Sequence, residues 1–402
     1  MTPAATMSCT GSPCVESPGK GRPSVENRSA SKASLSGDSQ VAASQVAQLD
    51  RNEALRGPPP GAVERVHAAI ARGHIYPHDA LARATDAAAS HLGVDPGQLI
   101  LTTGVDEAAD LCILELGDPY TVTPGFDGYR DRAAALNHRC RTFRLTAEHG
   151  LPEQLVEATA PGRLVMLSSP NNPTANTFAR ESLRALLERS AYLLLDQTYA
   201  DFCVGAPGLE WLAEYPNLLV FRSFSKAYGL AGLRIGCLVG EERLIGRLRA
   251  RQAYLTTSGL AAEALIGALE SDPDFPSRHA REVGELREEL IAQLRALALF
   301  ERVYESETNF VFVRCSSAEE ATRIRATLAA QMNVIVASTT PLGEPAGLRI
   351  GVGLQGDADR LIAGLAAIRD LREDAGPIEG PREDAGRNER PRETGPKEEM
   401  PA

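Results

Sequence analysis

The chain of 402 residues carries 42 Lys plus Arg against 53 Asp plus Glu, a formal charge of −11, with 43% of its residues apolar. These values exclude a collagen-like, membrane-spanning or wholly disordered polymer. The acidic balance also gives no counterion-release drive toward phosphate backbones, so nucleic acid is not an expected partner. Cys9, Cys14, Cys112, Cys140, Cys203, Cys237 and Cys315 are scattered without C-x-x-C spacing, which predicts reduced thiols in a cytoplasmic protein and no metal centre.

From the start, residues 1–48 are rich in Ser, Gly, Pro and Ala and poor in branched or aromatic residues, so they predict a disordered arm that cannot offset its ordering entropy. No apolar stretch follows basic residues, and no secretory leader is expected. Between Leu49 and Leu371 short apolar runs alternate with Ala-, Leu- and Arg-rich helical patterns, the signature of an α/β fold. Strands are predicted at Leu99–Thr102, Tyr120–Val122, Leu164–Ser168, Tyr192–Leu195, Leu218–Phe221 and Ile235–Val239, with helices at Pro77–Leu92, Glu107–Glu115 and Arg180–Arg189 among them. That order predicts a mostly parallel sheet covered on both faces, with ligands gathered at the carboxyl ends of its strands. Helices over Glu242–Leu269 and Pro276–Leu297, with strands at Asn309–Arg314, Val334–Val336 and Leu348–Val352, predict a smaller α+β domain. The expected boundaries are an N-terminal segment of the small domain at 49–77, a large domain at 78–245, the small domain at 246–371 and a charged tail at 372–402, in which R-E-D-A-G recurs from Arg372 and Arg382.

Six elements carry chemistry. In the loop from Ser223 to Gly236, Lys226 can condense with an aldehyde if burial or a neighbouring cation lowers its pKa, while Ser223, Ser225 and Arg234 suit a phosphate; a solvated turn lysine reads equally well from this stretch alone. Asp196 ends an apolar strand and Tyr199 follows it, which suits either a protonated pyridine nitrogen and a ring phenolate or a helix cap and a core tyrosine. Asn172, in Ser169-Pro170-Asn171-Asn172-Pro173-Thr174, can donate to the same ring oxygen or merely build a turn. The backbone at Val105 and Asp106, after Thr103-Gly104, suits a phosphate or simple helix capping. Phe126, within Pro124-Gly125-Phe126-Asp127-Gly128-Tyr129, can stack on a planar cofactor or fill the core. Arg349, within an apolar strand, needs an anion, met by a substrate carboxylate or by a structural Asp or Glu. Five of the six sit at or just after predicted strand ends and all suit one ligand.

In this combination the residues resemble pyridoxal-phosphate enzymes of the aspartate-aminotransferase fold, and within them the class II group that includes histidinol-phosphate aminotransferase, over Leu49 to Leu371. The resemblance implies a large domain with a mostly parallel sheet plus a small α+β domain, pyridoxal 5'-phosphate as cofactor, and amino transfer between an amino acid, or a histidinol-phosphate-like amine, and a 2-oxo acid through a Schiff base on Lys226. It implies that Ser223, Ser225 and Arg234 hold the cofactor phosphate with backbone groups at Val105 and Asp106. It likewise implies that Asp196 faces the pyridinium nitrogen, that Tyr199 and Asn172 meet the ring oxygen, that Phe126 stacks on the ring and that Arg349 binds the substrate carboxylate. Tyr76, before Pro77, matches a tyrosine that reaches the neighbouring subunit's phosphate, which implies a homodimer with shared sites. No membrane association is expected from the composition.

The chain departs from the family pattern in places. N-E-N-P-x-G, whose Asn52 is expected near the substrate, appears as Asn52-Glu53-Ala54-Leu55-Arg56-Gly57. Gln197 and Thr198 replace Glu-Ala after the aspartate, and Ala175 replaces glycine after N-N-P-T. Ala337 stands where histidinol-phosphate enzymes place a basic residue for the substrate phosphate, which implies intact cofactor chemistry without that preference. The alternatives are a decarboxylase, lyase or cyclase on the same fold and, further off, a non-catalytic cofactor-binding protein.

Overall fold

Apolar runs of four or five residues, such as Leu164-Val165-Met166-Leu167 and Leu193-Leu194-Leu195, can be satisfied only by a sheet whose two faces are both covered. The computed structural model of the protein describes residues 46–189, 191–339 and 346–374 and contains two such sheets. In chain order the first part runs β1 (Ala47–Leu49), α1 (Pro60–Ile70), α2 (His78–Leu92), β2 (Leu99–Thr102), α3 (Val105–Leu116), β3 (Pro119–Thr123), α4 (Gly128–Ala135) and β4 (Arg141–Arg144). The middle continues with α5 (Glu153–Ala158), β5 (Leu164–Ser168), α6 (Arg180–Glu188), β6 (Tyr192–Asp196), β7 (Leu218–Ser223), β8 (Gly236–Gly240), α7 (Glu242–Arg249) and α8 (Gly259–Ser271). The last part is α9 (Phe275–Ala296), β9 (Arg302–Val303), β10 (Phe310–Arg314), α10 (Ala318–Met332), β11 (Val334–Ser338), β12 (Gly347–Gly351) and α11 (Gln355–Asp374).

The larger sheet has seven strands in the order β2-β8-β7-β6-β5-β3-β4, parallel except for β8, which runs antiparallel to both neighbours. Successive side chains of a strand point to opposite faces, and the core follows that period. Leu164, Met166, Leu194, Leu219 and Phe221 pack with residues of α3, α4 and α7, whereas Val165, Leu167, Leu193, Leu195 and Val220 pack with residues of α2, α6 and α8. Each fully buried leucine contributes about 1.5–3 kcal/mol of transfer free energy, which holds the sheet between its two helical layers. Its register aligns the strand ends: Ser168 lies opposite Asp196, Asp196 opposite Phe221, and Gly236 opposite both Ser223 and Thr102. The carboxyl ends of β2, β3, β5, β6 and β7 therefore share one rim.

The smaller sheet has the order β1-β11-β12-β10-β9. Its core joins Ala47 and Leu49 to apolar residues of α9, α10 and α11. Ala47 and Gln48 thus belong to a strand, paired with Val334 and Ile335, although both fall in the expected arm 1–48. Three residues are too few to display a period, and the partner strand lies nearly 300 positions away, so local pattern reading had no signal. At the other end α11 continues to Asp374, past the expected start of the tail at 372. Residues 1–45 and 375–402 of the expected tails lie outside the described residues.

The predicted helix over Glu242–Leu269 is two helices, α7 and α8. Between them come Thr256, Thr257 and Ser258, with Leu255 in the left-handed region at φ 52°, and the Ser258 hydroxyl accepts from the Ala261 N–H as a new N-cap. β-Branched residues followed by Ser-Gly favour a restart over a continuous helix. α8 buries its residues in the core beneath the seven-stranded sheet, although it lies within the stretch 246–371. Among the described residues no helix is long and apolar enough to cross a membrane. Described cysteines 112, 140, 203, 237 and 315 are free thiols.

Candidate active site

On the rim, Asp196 is buried at the end of β6 and both of its oxygens are engaged. Oδ1 accepts from the Thr198 N–H at 2.9 Å and the Thr198 hydroxyl at 2.6 Å, and Oδ2 accepts from the Tyr129 hydroxyl at 2.8 Å. Burial pushes the carboxyl above its usual range, opposed by those hydrogen bonds. Tyr129, 1% exposed, sits one helical turn beyond Phe126, and the two rings meet edge to face with centroids 5.2 Å apart.

Beyond β7 the chain loops over the rim and carries Lys226. Its Nζ donates to the Arg51 carbonyl at 2.8 Å. The amine is pulled from 10.5 down to about 8, first by burial and then by the Arg349 and Arg234 guanidinium groups, with Glu53 opposing. Ser223 and Ser225 are buried beside it, the Ser225 N–H donating to the Ser223 hydroxyl at 3.2 Å. Arg234, in the left-handed conformation at φ 54°, turns back toward the start of α3. The Arg234 guanidinium lies against Gly104, where a Cβ would come 2.6 Å from Nη2, and Gly104 at φ 110° adopts a backbone conformation that favours glycine at the N-terminus of α3. Val105 and Asp106 open that helix, whose first-turn N–H groups have no intrahelical acceptors.

The segment before α1 closes over this rim. Asn52 Nδ2 donates to the Tyr199 hydroxyl at 3.1 Å, and Asn309 Nδ2 holds the Asn52 carbonyl at 3.0 Å. Arg349 crosses from β12, giving Nη1 to Asn172 Oδ1 at 2.7 Å and Nη2 to the Asp50 carbonyl. Its Nε is buried without a hydrogen-bond partner. A cavity of about 210 Å³ opens against Arg349, lined also by Phe126, Asp127, Asn172, Ala337 and Ser338.

The structure therefore gathers Lys226, Asp196, Tyr199, Asn172, Phe126, Ser223, Ser225, Arg234, Arg349, Asn52 and the Val105–Asp106 turn around one rim. Tyr76 does not join them. It is 77% exposed, in a separate groove of about 780 Å³ with Ile75 and Tyr254. Among the described residues no group of three or more His, Cys, Asp or Glu is placed to hold a metal ion.

The model of aminotransferase class I and II matches residues 44–365. The chain belongs to that family. It is 30% identical over 333 residues to histidinol-phosphate aminotransferase 1 of Bacillus cereus, covering 79% of this chain and 88% of that one. It is 32% identical over 296 residues to histidinol-phosphate aminotransferase of Sodalis glossinidius, covering 70% and 80%. Among solved structures it is similar to histidinol-phosphate aminotransferase of Sinorhizobium meliloti in complex with pyridoxal-5'-phosphate, at 25% identity and a TM-score of 0.74, over 82% of this chain and 92% of that one.

Several participants in this family member's rim were not singled out from sequence. Tyr129 lies in a run read for Phe126 alone, and its partner is 67 positions away. His279 on α9 accepts the Leu55 N–H at 3.3 Å and meets the Ala227 carbonyl at 2.9 Å, tying the covering segment to the lysine loop. The only early sign of either was the aromatic spacing from Phe126 to Tyr129.

Proposed function

We propose that Lys226 is the reactive amine of this pyridoxal-phosphate-dependent aminotransferase and that the groups around the rim serve it. The donor set fits the cofactor: a lowered amine for the aldehyde, a buried carboxylate for the ring nitrogen, and a helix N-terminus with a guanidinium and two serines for the phosphate. When bound, the cofactor supplies a ring that accepts the electrons left when the substrate α-proton departs. Lys226 Nζ, neutral above about 8, takes that proton and returns it. Asp196 holds a proton at the ring nitrogen, and the Tyr199 hydroxyl, oriented by Asn52 Nδ2, donates to the ring oxygen beside Asn172. Arg349 binds the substrate carboxylate, Phe126 covers the ring, and Val105 and Asp106 meet the phosphate through their backbone. What supports this reading most is the convergence of Lys226, Asp196 and Arg349, from three distant parts of the chain, on one strand rim.

Ala337 pairs with Arg349 across β11 and β12, beside the same cavity, and Arg349 is the one Lys or Arg among the described lining residues. The substrate we propose is a free amino acid with its α-carboxylate on Arg349, not a phosphate monoester, because a phosphate carries nearly two charges and Ala337, opposite Arg349, adds no second cation to meet them. We further propose a cytoplasmic homodimer, for which the exposed Ile75, Tyr76 and Tyr254 around their groove form a suitable face. A panel of amino acids and histidinol phosphate, each given to the cofactor-loaded enzyme for one turnover, tests the reading. The expected result is a 2-oxo acid and aminated cofactor from a free amino acid, from protein that runs at twice 42.9 kDa in light scattering. Turnover confined to histidinol phosphate would overturn the substrate assignment.

A further inference from the structure

Thr198 stands where the family pattern has alanine, and its hydroxyl is spent on Asp196. A carboxylate offers about four acceptor positions, two on each oxygen. Oδ1 has both filled by the N–H and hydroxyl of Thr198, at 2.9 and 2.6 Å, and Oδ2 has one filled by the Tyr129 hydroxyl at 2.8 Å. One position remains, on Oδ2. Asp196 and Tyr129 have little room to rearrange, because they are 3% and 1% exposed and Asp196 ends β6, which is paired with both β5 and β7.

We infer that Thr198 is a positioning residue which, with Tyr129, leaves Asp196 a single open acceptor on Oδ2 and sets how strongly that oxygen competes for the proton of the cofactor's ring nitrogen. The inference rests on the proposed pairing of Asp196 with that nitrogen. Burial raises the carboxyl's proton affinity, and the Thr198 hydroxyl is the foremost of the contacts that hold it down. An alanine would retain the backbone donor but lose the hydroxyl. The carboxylate would then be more basic, would keep the shared proton for itself more of the time, and would have a second oxygen position open to the ring. The hydroxyl therefore keeps the proton on the ring nitrogen, where it draws electrons.

The experiment uses apoprotein reloaded with pyridoxal phosphate labelled with nitrogen-15 in the ring. It reads the nitrogen chemical shift by NMR and the cofactor dissociation constant by fluorescence. Thr198→Val is expected to move the shift toward unprotonated pyridine and to weaken cofactor binding, because a proton kept on the carboxylate replaces an ion pair with the ring nitrogen by a neutral hydrogen bond. Thr198→Ala should do the same if valine packs poorly, and Thr198→Ser should restore both readouts. A native shift in the valine and alanine variants, or a serine variant that behaves like valine, would overturn the inference. Asp196→Asn separates the two levels: a native ring-nitrogen shift there would remove the pairing of Asp196 itself and this inference with it. A shift in Asp196→Asn with none in Thr198→Val would remove only the role of Thr198.

Discussion

Lys226 illustrates how one side chain's chemistry follows from its surroundings. An ammonium in water holds its proton until well above neutral pH, but here burial and two guanidinium groups favour the neutral amine, and the crossover falls to about 8. Only the neutral amine attacks an aldehyde. Capture of pyridoxal phosphate by the apoprotein should therefore be fast and level above pH 8 and slow about tenfold for each unit below it, as the amine takes up a proton. Stopped-flow absorbance across pH 6–10 checks this. A crossover near 10.5, the value of a solvated lysine, would show that the rim does not act on Lys226.

At the scale of elements, the covering segment from Asp50 to Arg56 has no secondary structure of its own and is held by its contacts. Arg349 takes its Asp50 carbonyl, Lys226 its Arg51 carbonyl, Asn309 its Asn52 carbonyl, and His279 its Leu55 N–H. Its pivot is Asn52, at φ 53°, a conformation that asparagine tolerates and alanine resists at a cost of roughly 1–2 kcal/mol. Asn52→Ala should lower stability in urea unfolding by about 2 kcal/mol, and Asn52→Gly by about 1, because glycine removes the backbone cost but not the lost hydrogen bond to Tyr199. Equal losses would show that the left-handed turn contributes nothing. This segment also shows what a sequence displays and what it hides. Buried central strands such as Leu164–Ser168 and Tyr192–Asp196 announce themselves as apolar runs, and the motif residues at their ends follow. β1, β4 and the interruption between α7 and α8 depend on distant partners or on a single cap, so no local period marks them. Tyr129 belongs to the same class, because its value lies in a carboxylate brought to it by the sheet.

For the molecule as a whole, the seven-stranded sheet supplies the fixed rim and the smaller sheet supplies the arginine that reaches it. Arg349 is anchored opposite Phe312 and Ala337 in β12, yet its guanidinium ends on Asn172 of the larger sheet's rim. Arg349 thus links the two sheets through its bond to Asn172. All of this depends on the cofactor bonding to one particular amine. The most direct measurement is borohydride reduction of the cofactor-loaded protein followed by peptide mapping. The account predicts one pyridoxyl adduct, on the peptide containing Lys226, and its complete loss in Lys226→Ala; an adduct on any other lysine, or none, would contradict it.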